Sequence, residues 1–247
     1  VKGLKDTTAL VTGAGGGFGT GVVAALVAAG AHVVGVGRDA GRLAALRREH
    51  GAAFTAEPGD AAEPGVAERL LAAHRPATVV LAAGARPAML PLTEQTWETF
   101  GRAWETDVRQ AFAWIRAALL LPLRAGSTVV AVSSGAALGG SPLSGGYAGA
   151  KATVRFTAAY AAGEAMRARL GVRFTALLPA LTPVTGLGAE AVAAYAAHEG
   201  LAVGDFTARL GRVLTPGQVG AAVVALATDP DPRSAYRLAP DGLTALD

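Results

Sequence analysis

An α/β fold, a doubly wound parallel sheet in a single domain, is what this sequence predicts, and three observations predict it. Short apolar runs alternate with alanine-rich helical stretches; a glycine-rich turn at residues 13–19 separates the first run from the first such stretch; and each run is a continuous block of Val, Ala and Leu. Continuous rather than alternating apolar runs mark parallel strands covered on both faces. At 247 residues the chain can bury one large core.

Residues 8–11 are expected as the first strand, 18–29 as the first helix and 32–36 as the second strand. Strand, glycine turn, helix, strand is the first half of a Rossmann-like nucleotide fold. A helix over 40–50, a strand over 52–55, a helix over 63–74 and a strand over 78–82 continue the order. Two helices follow over 94–104 and 106–121, the second ended by Pro122. A fifth strand over 127–132 runs into Ser133 and Ser134, a long helix spans 147–170, and a sixth strand covers 173–178. Glycines and one helical piece, 189–198, break the alternation between residues 183 and 214, where a substrate lid is expected. A helix over 218–227 and a strand over 236–239 complete the order. No repeat or linker interrupts it, so a single domain over residues 1–247 is expected.

Composition excludes several function classes. With no cysteine there is no disulfide, thiolate metal site or cysteine nucleophile, and four dispersed histidines offer no metal-ligand pair on one helix. The apolar stretches break before the ~20 residues of a membrane span, and no signal peptide is legible, so a cytoplasmic protein is expected. A net charge of +3 and a pI near 9.6 raise nucleic acid as a partner, but the arginines are scattered and no basic stripe carries interleaved aromatics. The chain also has no asparagine and only three glutamines. Loss of thermolabile side chains is a thermophile trait, and a GC-rich genome accounts for it equally.

The chemistry gathers at Ser134, Tyr147 and Lys151. Four residues on a helix place two side chains on one face, so Lys151 can stand beside Tyr147. A phenol titrates near about 10, and a neighbouring ammonium draws that value toward working pH, making an acid-base group. Lys151 is the one interior lysine in a chain that elsewhere uses arginine, which favours a chosen role over a surface charge. Ser134 is placed to hold the substrate oxygen.

At the other end of the site, Gly13, Gly15, Gly17 and Gly19 let the backbone approach a pyrophosphate, and the helix opening at Phe18 presents free N–H groups to it. The second strand ends Val36-Gly37-Arg38, so Gly37 stands where an acid would accept from the ribose of NAD. Arg38 can pair with the extra phosphate, which favours NADP(H). Asp39 keeps NAD(H) open if the turn swings it inward.

The glycine turn Thr12-Gly13-Ala14-Gly15-Gly16-Gly17-Phe18-Gly19, Tyr147-x-x-x-Lys151 and a serine thirteen residues before the tyrosine resemble the short-chain dehydrogenase/reductase family over nearly the whole chain. The resemblance implies an oxidoreductase moving hydride between a nicotinamide and a carbonyl or alcohol substrate. Tyr147 would be the proton donor or acceptor, Lys151 would also hold the nicotinamide ribose, and Ser134, with Ser133 as the less well spaced alternative, would polarise the substrate oxygen. Asp60 would contact the adenine, and Ala83, Gly84 and Pro179 would line the cofactor, with Thr182 or Thr185 near its amide. The same resemblance implies a homodimer or homotetramer built on the helices over 106–121 and 147–170.

Three positions depart from the family pattern. Ala82-Ala83-Gly84 replaces Asn-Ala-Gly, Asp107 replaces a catalytic asparagine, and Ala180 follows Pro179 where glycine is usual. One reading is a non-catalytic nucleotide-binding module of the same fold. The other, preferred because the proton-handling groups remain, is an active enzyme with altered pH dependence, Asp107 standing behind Lys151 as an acceptor unable to donate. Leu138, Leu143, Leu181, Leu187, Tyr195 and Phe206 suggest an apolar substrate pocket and fit ordinary core equally. Trp97, Trp104 and Trp114 are expected to pack or form an interface.

Overall fold

The apolar runs become the strands of one sheet, and the stretches between them its helices. In the computed structural model, which describes residues 3–121 and 123–246, the first half runs β1 (Thr8–Thr12), α1 (Phe18–Ala28), β2 (His32–Gly37), α2 (Ala40–His50), β3 (Phe54–Pro58), α3 (Val66–His74), β4 (Thr78–Leu81), α4 (Trp97–Ala103) and α5 (Arg109–Leu120). The second half runs β5 (Thr128–Val132), α6 (Ala136–Gly139), α7 (Gly145–Arg167), β6 (Arg173–Pro179), α8 (Gly186–His198), α9 (Val203–Leu210), α10 (Pro216–Thr228), β7 (Ala235–Ala239) and β8 (Gly242–Leu246). The strand order is β3-β2-β1-β4-β5-β6-β7-β8, parallel except for the last pair.

The order reverses at β1, whose Val11 pairs with Gly35 on one side and Val80 on the other. The chain therefore leaves β1 and β4 in opposite directions, and a crevice opens beyond their carboxyl ends. Two apolar layers cover the sheet. On one face Leu70, Trp114, Ile115 and Val154, from α3, α5 and α7, pack on Leu10, Val79 and Val129. On the other, Val22, Leu26, Leu43 and Val223, from α1, α2 and α10, pack on Ala9, Val11 and Val80. The alternation of neighbours such as Leu10 and Val11 between the two layers is the period-2 geometry of a strand buried on both sides.

Several expected boundaries are corrected. The third strand begins at Phe54, since Gly51, at φ 55, opens a short 3₁₀ turn over Gly51–Ala53. The helix expected from residue 63 begins at Val66, after the left-handed Gly65. The two helices expected over 94–104 and 106–121 are one rod: Thr96 caps α4, and a π turn, Trp104–Val108, carries it into α5 without a break. That widened turn points Asp107 into the interior, where it is buried. Pro122, expected to end this rod, lies outside the described residues. The antiparallel edge strand β8 was not expected, nor was α9 within the stretch read as a lid. Trp114 is buried core, whereas Trp97 is exposed and Trp104 partly so.

Candidate active site

A cleft of about 920 Å³ opens at the carboxyl ends of the central strands. One half of it is lined by the glycine turn. Gly17 is the N-cap of α1, at φ 54 and without a side-chain cap, so the first N–H groups of the helix face the cleft. A Cβ at Gly17 would meet nothing within 4 Å, which leaves room for an anion over the helix end. Gly13, at φ 68, lets the turn touch the loop after β4: a Cβ there would lie 2.6 Å from the Ala83 nitrogen. Gly15 and Phe18 also line the cleft, while Gly19 is buried beneath it. Asp60 lines the cleft after β3 and accepts from the Ala62 N–H at 2.9 Å.

Beyond β2, Arg38 is exposed at the cleft edge. Asp39 is taken up by its own helix: it caps α2 by accepting from the Arg42 N–H at 3.0 Å and pairs with Arg42 Nε at 3.2 Å. That contact lays Arg42 over the turn, with its guanidinium 3.2 Å from where a Cβ of Gly16 would stand. Arg42 is a cleft residue that sequence reasoning missed. The available signal was its spacing, three residues after an N-cap aspartate on the helix that starts beside Arg38.

In the chemical half, Tyr147 and Lys151 lie on the first turns of α7, with Nζ 5.6 Å from the tyrosine ring centroid. The Tyr147 hydroxyl makes no hydrogen bond to another described residue and faces the cleft. The buried Lys151 donates to the Val132 carbonyl at 3.0 Å and lies 2.8 Å from Asp107 Oδ1. That second contact is an ion pair off the hydrogen-bond line, since Oδ1 has no aligned donor. Asp107 Oδ2 accepts from the Ala85 N–H at 2.8 Å. Burial draws the Lys151 ammonium pKa down, but Asp107 and, less strongly, Tyr147 outweigh it, so it stands above the ordinary lysine value. Ser133 is buried and donates to the Lys151 carbonyl at 2.7 Å, bracing α7 on β5. Ser134 accepts from the Ala136 N–H at 3.2 Å, and its own hydrogen has no acceptor among the described residues.

Ala82, Ala83 and Gly84 form the wall between the two halves. Thr12 Oγ1 accepts from the Ala82 and Ala83 N–H groups and donates to the buried Gln110, which donates back to the Ala83 carbonyl. Gln110 was also missed from sequence, since nothing local to it points to a loop so distant in the chain.

Pro179, the last residue of β6, and Thr182 beyond it lie in the cleft wall. The Thr182 hydroxyl donates to the Leu214 carbonyl at 2.6 Å, and Thr185 caps α8. Of the apolar residues suggested for the substrate pocket, Leu181, Leu187 and Tyr195 line the cleft. Leu138, Leu143 and Phe206 lie outside its lining, with Leu143 buried and Phe206 stacked on Tyr195. Tyr195 is polar at its tip, where its hydroxyl bonds Ser141 and lies 3.3 Å from Ser144 Oγ. Among the described residues no cluster of metal-binding side chains occurs, and no helix is long and apolar enough to cross a membrane.

The short chain dehydrogenase family profile matches residues 7–197. No curated protein matches the chain. Among solved structures, a short-chain type dehydrogenase/reductase from Mycobacterium ulcerans is 28% identical with a TM-score of 0.80, covering 92% of this chain and 85% of that one. A 3-ketoacyl-(acyl-carrier-protein) reductase from Brucella melitensis, complexed with NADH, is 24% identical with a TM-score of 0.79, over 94% and 96% of the two chains. Levodione reductase is 20% identical with a TM-score of 0.84, over 96% and 97%. The last two likenesses establish the fold, and the profile match establishes more: the chain belongs to the short-chain dehydrogenase/reductase family, oxidoreductases that act on a carbonyl/CH–OH pair with a nicotinamide cofactor.

Proposed function

We propose that the enzyme is an NADP(H)-dependent oxidoreductase of a small carbonyl or alcohol substrate, with Tyr147 as its acid-base group. The observation that carries this reading is the unengaged Tyr147 hydroxyl in the cleft, beside an ammonium that Asp107 keeps charged. The cleft fits the cofactor: the uncapped end of α1 with open space over Gly17 suits a pyrophosphate, and Arg38 and Arg42 suit a further phosphate on the adenosine ribose. Arg42 engages Asp39, which weakens the case for NAD(H). Asp60, Ala83, Gly84, Pro179 and Thr182 complete the cofactor wall.

The cofactor, when bound, supplies or takes the hydride, and the protein handles the proton. Tyr147 donates its phenolic proton to the carbonyl oxygen as that oxygen becomes a hydroxyl, and accepts it in the reverse direction. Ser134 donates a hydrogen bond to the same oxygen. Lys151 donates one N–H to Val132 and is held by Asp107 as its counter-ion, leaving a donor for the Tyr147 side of the cleft or the nicotinamide ribose, and its charge favours the phenolate. We place the substrate lid on α8 and α9, where Arg86 and Glu190 form an ion pair across the cleft mouth. A homo-oligomer is supported by Phe112 and Leu120 on α5 and Phe156, Tyr160 and Met166 on α7, all exposed.

Tyr147→Phe tests the reading. Turnover across a panel of carbonyls and alcohols should fall about 10²- to 10⁴-fold while NADPH binding is kept. Tight NADPH binding without turnover in the unmodified protein would instead identify a non-catalytic nucleotide module.

A further inference from the structure

The loop after β4 reads Ala82-Ala83-Gly84-Ala85, so it has no side chain with which to fasten itself, yet it forms the wall between the glycine turn and Tyr147. Its backbone is held from outside. Gln110, 2% exposed in the first turn of α5, accepts the Thr12 hydroxyl proton on Oε1 at 2.7 Å and donates from Nε2 to the Ala83 carbonyl. Thr12 Oγ1 accepts in turn from the Ala82 and Ala83 N–H groups at 3.0 and 3.2 Å. The amide orientation is determined by these partners, because turning it over would set its oxygen against the Ala83 carbonyl. Gln110 thus ties the end of β1 to the loop after β4, beside the Thr12 hydroxyl's own bonds to that loop and the Asp107 bond to Ala85, where Gly13 and Ala83 are in contact.

We propose that Gln110 is a positioning residue for the nicotinamide end of the cofactor, supplying from α5 the amide that the alanine loop lacks. The proposal rests on the nicotinamide-cofactor reading of the cleft. Its bonds end on Thr12 and Ala83, in the wall between the two halves, and Arg38, Arg42 and the N-terminus of α1 make no contact with the Gln110 amide, so the nicotinamide end is expected to lose more than the adenosine end. Loss of its two buried hydrogen bonds lets the loop drift against Tyr147 while the adenosine half stays bound.

The test compares the full chain with Gln110→Met, which keeps length and loses both bonds. NADPH and adenosine 2′,5′-bisphosphate, which lacks the nicotinamide half, are titrated against each. In Gln110→Met, NADPH affinity should fall about tenfold, with a smaller change in nicotinamide fluorescence on binding, and adenosine 2′,5′-bisphosphate should stay within about twofold. Unchanged NADPH affinity, or equal weakening of both ligands, overturns the proposal. Gln110→Glu covers the case in which the first variant does not fold. Neutral glutamic acid can donate to the Ala83 carbonyl and the ionised form cannot, so NADPH affinity relative to the parent should be highest at acid pH and fall as pH rises. A ratio flat with pH overturns the proposal. If the parent chain binds neither NADPH nor NADH, the cofactor reading itself fails and the Gln110 role with it.

Discussion

Replacing Asp107 with Asn, the family's usual residue, should destabilise this protein rather than repair it. Asp107 uses both oxygens, Oδ2 accepting from the Ala85 N–H and Oδ1 standing as the counter-charge to Lys151 Nζ. An asparagine has one oxygen, and keeping the Ala85 bond turns its NH₂ toward the ammonium. Lys151 is then a buried cation, its side chain 7% exposed, without its counter-ion. Removing one partner of a buried pair costs about 3–5 kcal/mol. In a domain of this size about 2–4 °C of melting temperature accompanies each kcal/mol, so a loss of about 6–20 °C is expected at pH 7.

The pH dependence of that loss is the sharper test. In the parent, the Lys151 pKa is raised, so the stability it contributes is fully present below lysine's ordinary value and is lost only as pH rises through the higher folded value. In Asp107→Asn only burial, with a smaller effect of Tyr147, acts on Lys151, and its folded pKa drops below the unfolded one. The unfolded state then binds more protons, and the variant gains stability as pH rises toward about 10. Circular-dichroism melts at pH 7, 8, 9 and 10 should show the gap between parent and variant narrowing. A gap under 2 °C at pH 7, or one that widens with pH, would refute a buried charge pair between Asp107 and Lys151.

The adenosine end and the outer helix faces make further predictions. Arg38→Ala and Arg42→Ala should each weaken NADPH about 10- to 100-fold, the worth of a charge-assisted hydrogen bond, and leave NADH nearly unchanged. In thermal-shift assays at fixed excess ligand, each tenfold loss lowers the NADPH-induced stabilisation by about 1.4 kcal/mol; equal NADPH and NADH shifts in the parent would sink the phosphate argument. Phe156→Asp combined with Tyr160→Asp sets charges on the exposed face of α7, and light scattering should report a monomer in place of an oligomer. A monomeric parent, or an unchanged variant, would remove that face as a subunit contact.

Apolar continuity and glycine spacing sufficed to read the order of the first seven strands and the place of the glycine turn, because two-sided burial and free helix N–H groups are local properties of a segment. The i, i+4 spacing likewise sufficed to put Tyr147 and Lys151 together. Tertiary packing decided the rest. Which of Ser133 and Ser134 keeps its hydroxyl proton free depends on how α7 lies on β5, which spends the Ser133 hydroxyl on the Lys151 carbonyl. That Asp107 pairs directly with Lys151 depends on a π turn within a helix expected as two pieces. Gln110 carried no legible signal, since it acquires its role from a segment distant in the chain, the Thr12 it bonds standing 98 positions earlier, whereas Arg42 carried only the faint one of its spacing from Asp39. Local pattern encodes which face of a segment is buried, while the partner of a buried polar group is set by how separate elements come to rest against one another, and at this site that partner defines what the residue does.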